Sequence, residues 1–460
     1  MRENGFEGLR AEIAALSSVR QIGRIHSIEG ALLRVSGLGH HARMGDQLRI
    51  TRGSKPPLGG EVIKIDAEGV TVLPDEHTEG LALGDRVTLL GPAQIAPDEG
   101  WIGRVVDPYG APLDGRPLMR GQKEIPLRNQ PPAPGRRNRL GRRLETGVAV
   151  FNTILPFVEG QRIGLFAGSG VGKSSLLSQF ARNIEADVVV IALIGERGRE
   201  LRDFVSDTLG PEGMRRSIVV AATSDQSPLM RRRCAWSAMS IAEYFRDTGR
   251  DVLFLADSIT RFADAHREVA VAGGELPSLR GYPASTSHLI MQLCERAGPG
   301  PEGAGAISAV FSVLVAGSDM DEPVADILRG VLDGHVVMDR SIAERGRYPA
   351  IDVLRSVSRS LPSAASIPEN KSISEARRLL GLYSRNEMMI RAGLYTPGTD
   401  SDLDAAVSVS GDLEVFISDT SNQTISNSFQ RLNLILRRAG AKTGAEDPEE
   451  RRSVSTVVKK

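Results

Sequence analysis

Residues 167–175 read AGSGVGKSS, and this stretch decides how the rest of the chain is interpreted. Its three glycines, Gly168, Gly170 and Gly172, let the backbone adopt positive φ and bring several N–H groups close to one anion. RIGLFA, which leads into it and ends at Ala167, is an apolar run typical of a strand. SLLSQFARNI, which begins at Ser175, has apolar side chains at helical spacing. The sequence therefore predicts a phosphate-binding loop between a strand and a helix.

The start of the predicted helix adds positive charge to this loop. Free N–H groups and the helix dipole favour an anion there, Lys173 adds a full charge, and the hydroxyl of Ser174 can bind Mg²⁺. The stretch fits the P-loop pattern G-x-x-x-x-G-K-[ST] except at its first position, where Ala167 replaces glycine. A glycine-rich turn with a chance lysine is the alternative, and the flanking strand and helix disfavour it. The predicted nucleotide-binding residues are Gly168, Ser169, Gly170, Val171, Gly172, Lys173, Ser174 and Ser175.

Composition limits the class of protein. A chain of 460 residues is long enough for two or three domains. Lys plus Arg and Asp plus Glu are equal at 57 each and aromatic residues make up 4%, so we expect no nucleic-acid partner. Two cysteines, Cys234 and Cys294, fit no metal-binding spacing and favour a reducing compartment. Without a secretory signal or a membrane-spanning run, we expect a cytoplasmic protein that associates with membranes only peripherally.

The pattern along the chain predicts three folded domains. Residues 21–92 contain short alternating segments separated by Gly and Asp, which is typical of a small β-barrel. In residues 93–365 apolar strands alternate with helices, which indicates a parallel sheet covered on both faces. Residues 366–440 have helical periodicity. The predicted fold class is α/β, with an N-terminal small β-barrel, a central RecA-like P-loop parallel-sheet domain and a C-terminal helical domain.

Three other segments lie outside this core. Residues 1–20 are predicted to form a helical arm with one apolar face, which either docks a partner or packs on its own domain. Residues 441–460 are highly charged and predicted to be a mobile tail. The connector before the sheet domain is interpreted as a solvated linker or hinge rather than a basic patch. Its arginines are Arg136, Arg137, Arg139, Arg142 and Arg143.

Two acidic residues follow predicted strands of the sheet domain. Asp257 ends the strand DVLFLAD, where a carboxylate can hold Mg²⁺ beside a P-loop. Glu196 follows the strand VVVIALI, at the same edge of the sheet, and is a candidate base for an attacking water. A helix cap or a surface charge is the alternative for either acid alone. Their joint occurrence after strands of one sheet favours a shared site.

Six segments of the chain are distinctive: AGSGVGKSS, GERGRELRDF, ATSDQSPLMRRR, AEYFRDTGRDVLFLADSITRFADAHREV, DEPVADILRGVLDGH and RYPAIDVLRSVSR. Together they resemble the hexameric rotary-type ATPase family, which includes the catalytic subunit of ATP synthase and the ATPase of bacterial type III protein export. Within the last segment, PAIDVLRSVS matches the family signature P-[SAP]-[LIV]-[DNH]-x-x-x-S-x-S at every defined position. The resemblance covers roughly residues 20–440.

The resemblance implies ATP and Mg²⁺ as ligands and a role for each matching residue. Lys173 and Ser174 would serve phosphate and Mg²⁺, Asp257 the metal, Glu196 the attacking water, Arg197 the γ-phosphate, Arg261 the phosphates, and Tyr348 the adenine. Arg359 would be an arginine finger that reaches the neighbouring subunit's site, an interaction worth about 10³ to 10⁵ in rate. The resemblance thus implies a homohexameric ring. A surface salt bridge is the alternative for Arg359.

Within the family, the chain looks most like the protein-export ATPases and, among them, the flagellar one. This implies ATP hydrolysis coupled to protein export beneath a membrane export gate. It also implies a regulator dimer forming a peripheral stalk at the N-terminal helix, a central stalk, and export chaperones and substrates at the C-terminal domain. Two stretches depart from the pattern. Residues 149–152 read AVFN instead of Arg-Ala-Ile-Asp, and ASTSHLIMQL follows RGYP in the region where the ring meets its central stalk.

Several alternatives remain open at this stage. An injectisome ATPase shares the residue chemistry of the flagellar one. A catalytic subunit of a rotary ATP synthase is disfavoured, because the acidic loop expected in its C-terminal domain is not evident. A hexameric helicase would carry a basic or aromatic single-strand binding domain, but acidic residues are spread through the barrel region. A module that binds nucleotide without hydrolysing it would not need Glu196 and Arg359.

Overall fold

A computed structural model describes Ile13 and residues 19–53, 55–315 and 320–440. Most of the predicted N-terminal arm and the whole predicted tail lie outside these residues. Both therefore remain predictions.

The N-terminal part of the described chain is a closed barrel of antiparallel strands in the order β1-β2-β5-β4-β3-β6. Alternate side chains such as Leu33 and Val35, or Leu48 and Ile50, fill its interior, as the two-residue period of a strand requires. The barrel strands are β1 (Ile22–Glu29), β2 (Leu32–Ser36), β3 (Asp46–Arg52), β4 (Lys55–Asp66), β5 (Gly69–Pro74) and β6 (Arg86–Pro92).

The central domain is built on one sheet in which the order of the described strands is β17-β16-β10-β15-β13-β11-β12-β8, with β14 pairing beside β15. β7 and β9 form a separate two-stranded ribbon in the connector. The strands after the barrel are β7 (Gln94–Ile95), β8 (Val105–Val106), β9 (Ile125–Pro126), β10 (Arg162–Ala167), β11 (Val188–Glu196), β12 (Ser217–Thr223), β13 (Val252–Asp257), β14 (Gly298–Pro299), β15 (Ala306–Leu314), β16 (Gly334–Met338) and β17 (Ile351–Ser358).

The prediction of a parallel sheet holds for the central strands but is wrong at one edge. The signature segment 351–358 forms β17, which runs antiparallel to β16. The connection between them contains only one short helix, Arg340–Glu344, about 7 Å long, whereas β16 is about 16 Å long. The chain therefore turns back where β16 ends, instead of returning along the length of the sheet to begin a parallel strand.

Helices cover both faces of the sheet. Along β13, Leu253 and Leu255 join the core on one face, while Phe254 and Ala256 join the core on the other. The helices described are α1 (Ala149–Asn152), α2 (Lys173–Asn183), α3 (Gly198–Asp203), α4 (Gly210–Met214), α5 (Pro228–Asp247), α6 (Ile259–Ala272), α7 (Ser285–Arg296), α8 (Pro323–Val331), α9 (Arg340–Glu344), α10 (Ile367–Arg391), α11 (Ser401–Ile417) and α12 (Ile425–Arg438). The last three form the C-terminal helical domain, so the predicted fold class is confirmed.

The departing segment AVFN is α1, and it ties the C-terminal helices to the sheet domain. Asn152 is fully buried, and its amide donates to the carbonyl of Gln423 at 2.7 Å and to the hydroxyl of Ser428 at 3.2 Å. Its side-chain oxygen accepts from the backbone N–H of Thr146 at 3.0 Å. An amide suits this position because it both donates and accepts hydrogen bonds.

The interpretation of the connector arginines as solvated is wrong for two of them. Arg143 is 12% exposed, pairs with Glu369 at 2.7 Å and lies over the ring of Phe429. Arg137 is 16% exposed and donates to the backbone carbonyl of Pro132 at 3.2 Å. A guanidinium group has five N–H donors, so it can fix an irregular segment by binding carbonyls as well as carboxylates.

The barrel and the sheet domain meet at a group of charges, buried except for Arg128 and Tyr109, which we call the junction cluster: Glu61, Asp75, Tyr109, Arg128, Arg232 and Arg233. The carboxylate of Glu61, on β4, accepts from Arg232 at 2.8 Å and from Arg233 at 3.3 Å, and both arginines lie on α5. Arg128 binds the same carboxylate at 2.7 Å. Asp75 accepts from the hydroxyl of Tyr109. Glu61, Arg232 and Arg233 are each less than 10% exposed, so water contributes little to their solvation.

Candidate active site

The glycine-rich loop lies at the carboxyl edge of the sheet, between β10 and α2. Gly170 and Gly172 have φ values of 77° and 87°, the left-handed region that glycine adopts without strain. Lys173 begins α2 directly after Gly172, which has no side chain to cap the helix. The first N–H groups of α2 are therefore available to an anion. Val171 is 1% exposed and anchors the loop in the core, whereas Ser169, Ser174 and Ser175 are exposed.

Tyr348 lies beside this loop. A Cβ added at Gly172 would come within 3.2 Å of Cδ1 of Tyr348, so only glycine fits under the ring without displacing it. The tyrosine is 51% exposed, and its ring has a free surface next to the loop. The placement suits the predicted contact with a flat base, and that role remains a prediction.

Asp257 faces the loop from the end of β13. Its carboxylate binds the ammonium group of Lys173, and the two side chains are only 5% and 11% exposed. The hydroxyl of Ser312 donates to Oδ1 of Asp257 at 2.8 Å. Ser312 is not among the residues predicted from the sequence, although a serine within the apolar run AVFSVL is a visible signal.

Glu196 ends β11, the strand next to β13, and its side chain is 14% exposed. Burial, the neighbouring charge of Asp257 and a hydrogen bond with Glu200 together raise the pKa of Glu196 to about 7, against the opposing effect of Arg261 and Lys173. A carboxyl group with a pKa near neutrality is well matched to general-base catalysis.

Two arginines predicted near the phosphates occupy different places. Nε of Arg261 is 3.4 Å from Oε1 of Glu196, and the guanidinium group donates to the carbonyl of Gly195. Arg261 thus belongs to the site. Arg197 is 78% exposed and pairs with Glu200 at 3.7 Å. The structure therefore leaves Arg197 on the rim, outside the buried contacts of Lys173, Asp257 and Glu196.

The loop lies at the carboxyl ends of the parallel strands, and Arg359 lies near their amino ends. Its backbone N–H donates to the carbonyl of Asp333 at 3.0 Å, and its guanidinium group donates to the carbonyl of Arg329 at 3.1 Å. Asp333 precedes β16, whose last residue, Met338, pairs with Ala167 at the loop end. From Asp333 to Met338 the chain advances five residues along the strand, or about 16 Å. Arg359 is exposed and does not meet the loop of its own chain.

The buried polar groups around the loop fit a magnesium–nucleotide ligand. The hydroxyl of Ser258, next to Asp257, is buried and has no hydrogen-bond partner among the described residues. Buried polar groups normally have partners, so this hydroxyl points to a bound group that would supply one. The exposed hydroxyl of Ser174 and the carboxylate of Asp257 are the oxygen ligands that Mg²⁺ prefers.

Comparison with known proteins places this site in a family. The chain is 42% identical over 441 residues to the flagellum-specific ATP synthase of Caulobacter vibrioides, covering 93% of this chain and 99% of that protein. The chain belongs to the type III export branch of the ATP synthase alpha/beta family. The profile of the ATP synthase alpha/beta family nucleotide-binding domain matches residues 147–358, and that of the T3SS EscN ATPase C-terminal domain matches residues 368–433. The flagellum-specific ATP synthase of Salmonella typhimurium is 40% identical, covering 90% of this chain and 92% of that protein.

Solved structures of the export branch have the same fold. The assembled ATPase EscN from the enteropathogenic E. coli type III secretion system superposes with a TM-score of 0.82 at 34% identity, covering 90% of this chain and 100% of that chain. EscN in complex with its central stalk EscO superposes with the same TM-score at 35% identity, covering the same shares of the two chains.

No helix within the described part of this export-branch chain has the length and apolar character needed to cross a membrane.

Proposed function

We propose that this protein is the ATPase of a flagellar type III export apparatus and hydrolyses ATP with Mg²⁺ at sites shared between subunits of a homohexameric ring. One observation carries the proposal. Lys173, Asp257 and Glu196 lie at the carboxyl ends of the parallel strands, whereas Arg359 lies near their amino ends. The chain's place among flagellum-specific ATP synthases supports the flagellar assignment.

In the proposed reaction the chain's own groups bind the nucleotide and move one proton. The N–H groups at the start of α2 and the ammonium of Lys173 hold the phosphates, and Tyr348 stacks on the adenine. Ser174 and Asp257 hold Mg²⁺, which supplies positive charge to the phosphoryl oxygens when bound. The carboxylate of Glu196 takes a proton from the water that attacks the γ-phosphate.

The arginines complete the proposed site. Arg261, beside Glu196, orients that carboxylate, and Arg197 on the rim contacts the γ-phosphate. Because about 16 Å of strand separate Arg359 from its own loop, we assign its guanidinium group to the site of the neighbouring subunit. A head-to-tail contact between copies of one chain generates a closed ring when its rotation closes, and every site of such a ring would be complete. EscN, which is 34% identical, has been solved as an assembled ATPase.

We extend the proposal to partners by similarity to the export branch. EscN binds a central stalk, EscO, and we propose a central stalk in the ring of this protein as well. We further propose that a regulator dimer forming a peripheral stalk binds the N-terminal arm, that the C-terminal domain receives chaperones and substrates, and that the ring works in the cytoplasm beneath a membrane export gate. An injectisome ATPase is the second candidate. The identity of 40–42% to flagellar relatives, against 34–35% to EscN, favours the flagellar system.

The ATPase rate per chain as a function of protein concentration tests the proposal. We expect the rate of the wild type to rise cooperatively with concentration, in parallel with nucleotide-driven assembly seen by light scattering. Arg359→Ala should lower the rate by about 10³-fold or more while nucleotide binding persists. Arg438→Ala, which removes an exposed arginine of α12, is the control and should behave as the wild type. A concentration-independent rate that survives Arg359→Ala would show a self-contained site and refute the shared one.

A further inference from the structure

Ser312 is a fully buried polar residue in the middle of an apolar sheet. It lies on β15, which pairs with β13 so that Phe311 is opposite Ala256. Ser312 is therefore the neighbour of Asp257 across the strands, and its hydroxyl donates to Oδ1 of that carboxylate at 2.8 Å. This contact joins two residues that are 55 positions apart in the chain.

Oδ1 of Asp257 has a second partner, the ammonium group of Lys173. The two donors differ in mobility. Lys173 has a flexible side chain at the start of a helix, and a bound phosphate would attract its charge away from the carboxylate. Ser312 is held in place because β15 is paired on both sides, with β13 and with β10. With Lys173 drawn to a phosphate, the hydroxyl of Ser312 would be the contact that remains on Oδ1.

We propose that Ser312 is a positioning residue for metal binding, which fixes Oδ1 of Asp257 and leaves Oδ2 to the Mg²⁺ of the bound nucleotide. The inference rests on the proposed ATPase function and adds a residue to its site. Loss of a hydrogen-bond partner behind a metal ligand typically costs about 10- to 100-fold in metal affinity or activity.

The same strand offers a matched control. Ser308 is 5% exposed, and its hydroxyl accepts from the backbone N–H of Gly160 at 2.9 Å, at the other end of β15. Ser308→Ala therefore removes one buried hydroxyl from the same strand without changing the surroundings of Asp257. Ser312→Thr keeps the hydroxyl and adds a methyl group that suits a strand.

The test measures metal binding directly in the full-length protein. Mn²⁺ is titrated into the ADP-bound protein, and free Mn²⁺ is measured by electron paramagnetic resonance. ADP binding in EDTA and thermal unfolding without metal are measured for every variant. We expect Ser312→Ala to weaken Mn²⁺ binding by about 10- to 100-fold and to raise the half-saturating Mg²⁺ concentration for hydrolysis by a similar factor. ADP binding in EDTA should not change, and Ser308→Ala and Ser312→Thr should bind Mn²⁺ as the wild type does.

The outcomes separate this inference from the proposed function. Wild-type Mn²⁺ affinity in Ser312→Ala would overturn the role of Ser312 while leaving the ATPase proposal intact. An equal loss in Ser308→Ala would overturn it as well, because the effect would then come from the strand as a whole. A wild-type protein that binds neither ADP nor Mn²⁺–ADP would refute the proposed function and the inference together.

Discussion

Glu196 shows how the fold tunes a single carboxyl group. The end of β11 buries it, and the charge of Asp257 on the next strand disfavours a second negative charge. Together they raise the pKa of Glu196 to about 7, while Arg261 and Lys173 limit the rise. The carboxyl group of Glu196 therefore changes protonation near neutral pH.

The raised pKa predicts a pH dependence of hydrolysis. A general base acts when it is deprotonated, so the rate should fall as pH falls through about 7. The constant to measure is kcat/KM for ATP, because its pH dependence reports the pKa values of the free enzyme. Glu196→Gln should lower the rate by about 10²- to 10⁴-fold and abolish that inflection. Glu344→Gln, at an exposed carboxylate on α9, should keep the wild-type profile. An unchanged rate in Glu196→Gln would exclude this residue as the base.

At this scale the sequence predicted part of the site. The P-loop, Asp257 and Glu196 follow from local patterns, because the ends of parallel strands share one edge of a sheet. The contact of Ser312 with Asp257 was not predictable in this way, because it depends on β15 being the neighbour of β13. The rim position of Arg197 was also hidden, since spacing places a residue at a strand end without fixing where its side chain lies.

At the scale of elements, the junction cluster binds the barrel to α5. Three guanidinium groups share the carboxylate of Glu61, and burial lowers the pKa of Arg232 to about 10, so it still carries its charge at neutral pH. Burial also raises the pKa of Asp75, whose charge is balanced by Arg233. Removing one member of such a group leaves the others charged in a medium that solvates them poorly.

We expect Glu61→Ala to lower the free energy of unfolding by about 3–5 kcal/mol, because it removes the carboxylate that the buried Arg232 and Arg233 both contact. Glu344→Ala, which breaks the exposed pair with Arg340, should cost less than about 1 kcal/mol. Denaturant titration of the nucleotide-free protein followed by circular dichroism measures both. Equal costs for the two variants would show that burial adds nothing to the Glu61 contacts.

The elements themselves were largely predictable, and their contacts were not. Two-residue alternation indicated the barrel strands, and the segment 228–247 has the apolar spacing of the long helix α5. The burial of Arg232 and Arg233 was invisible in that pattern, because it arises only when the barrel docks on the helix. β17 was missed as an antiparallel edge strand, since its direction depends on the length of the connection before it.

At the scale of the whole molecule, β17 separates two residues that the proposed ring assigns to different copies. Tyr348 lies just before the strand, beside the loop, and Arg359 lies just after it, near the amino ends of the parallel strands. One chain therefore contributes to two different sites of the proposed ring. A single sequence contains both halves of the site, but nothing in it except resemblance to the family predicts that they belong to different copies.

Subunit mixing tests this division. Lys173→Ala and Arg359→Ala should each be inactive alone, since one lacks the phosphate-binding charge and the other the finger. In a mixture of equal amounts, about a quarter of the sites in a randomly assembled ring combine an intact loop with an intact finger, so activity should return. A mixture of Lys173→Ala with the double variant is the control and should stay inactive. Lack of recovery in mixed rings that do assemble would place Arg359 outside the neighbour's site.

The junction cluster also constrains how this protein can diverge. Its acidic members lie in the barrel, and its basic members lie in the connector and α5. Each domain therefore supplies the opposite charges that the other needs. A barrel transplanted from a relative would have to bring carboxylates to positions 61 and 75, or the arginines of the recipient would have to change with it. We therefore expect a chimaera to retain these contacts when the barrel is exchanged together with the connector and α5, and to lose them when the cut falls at the end of the barrel.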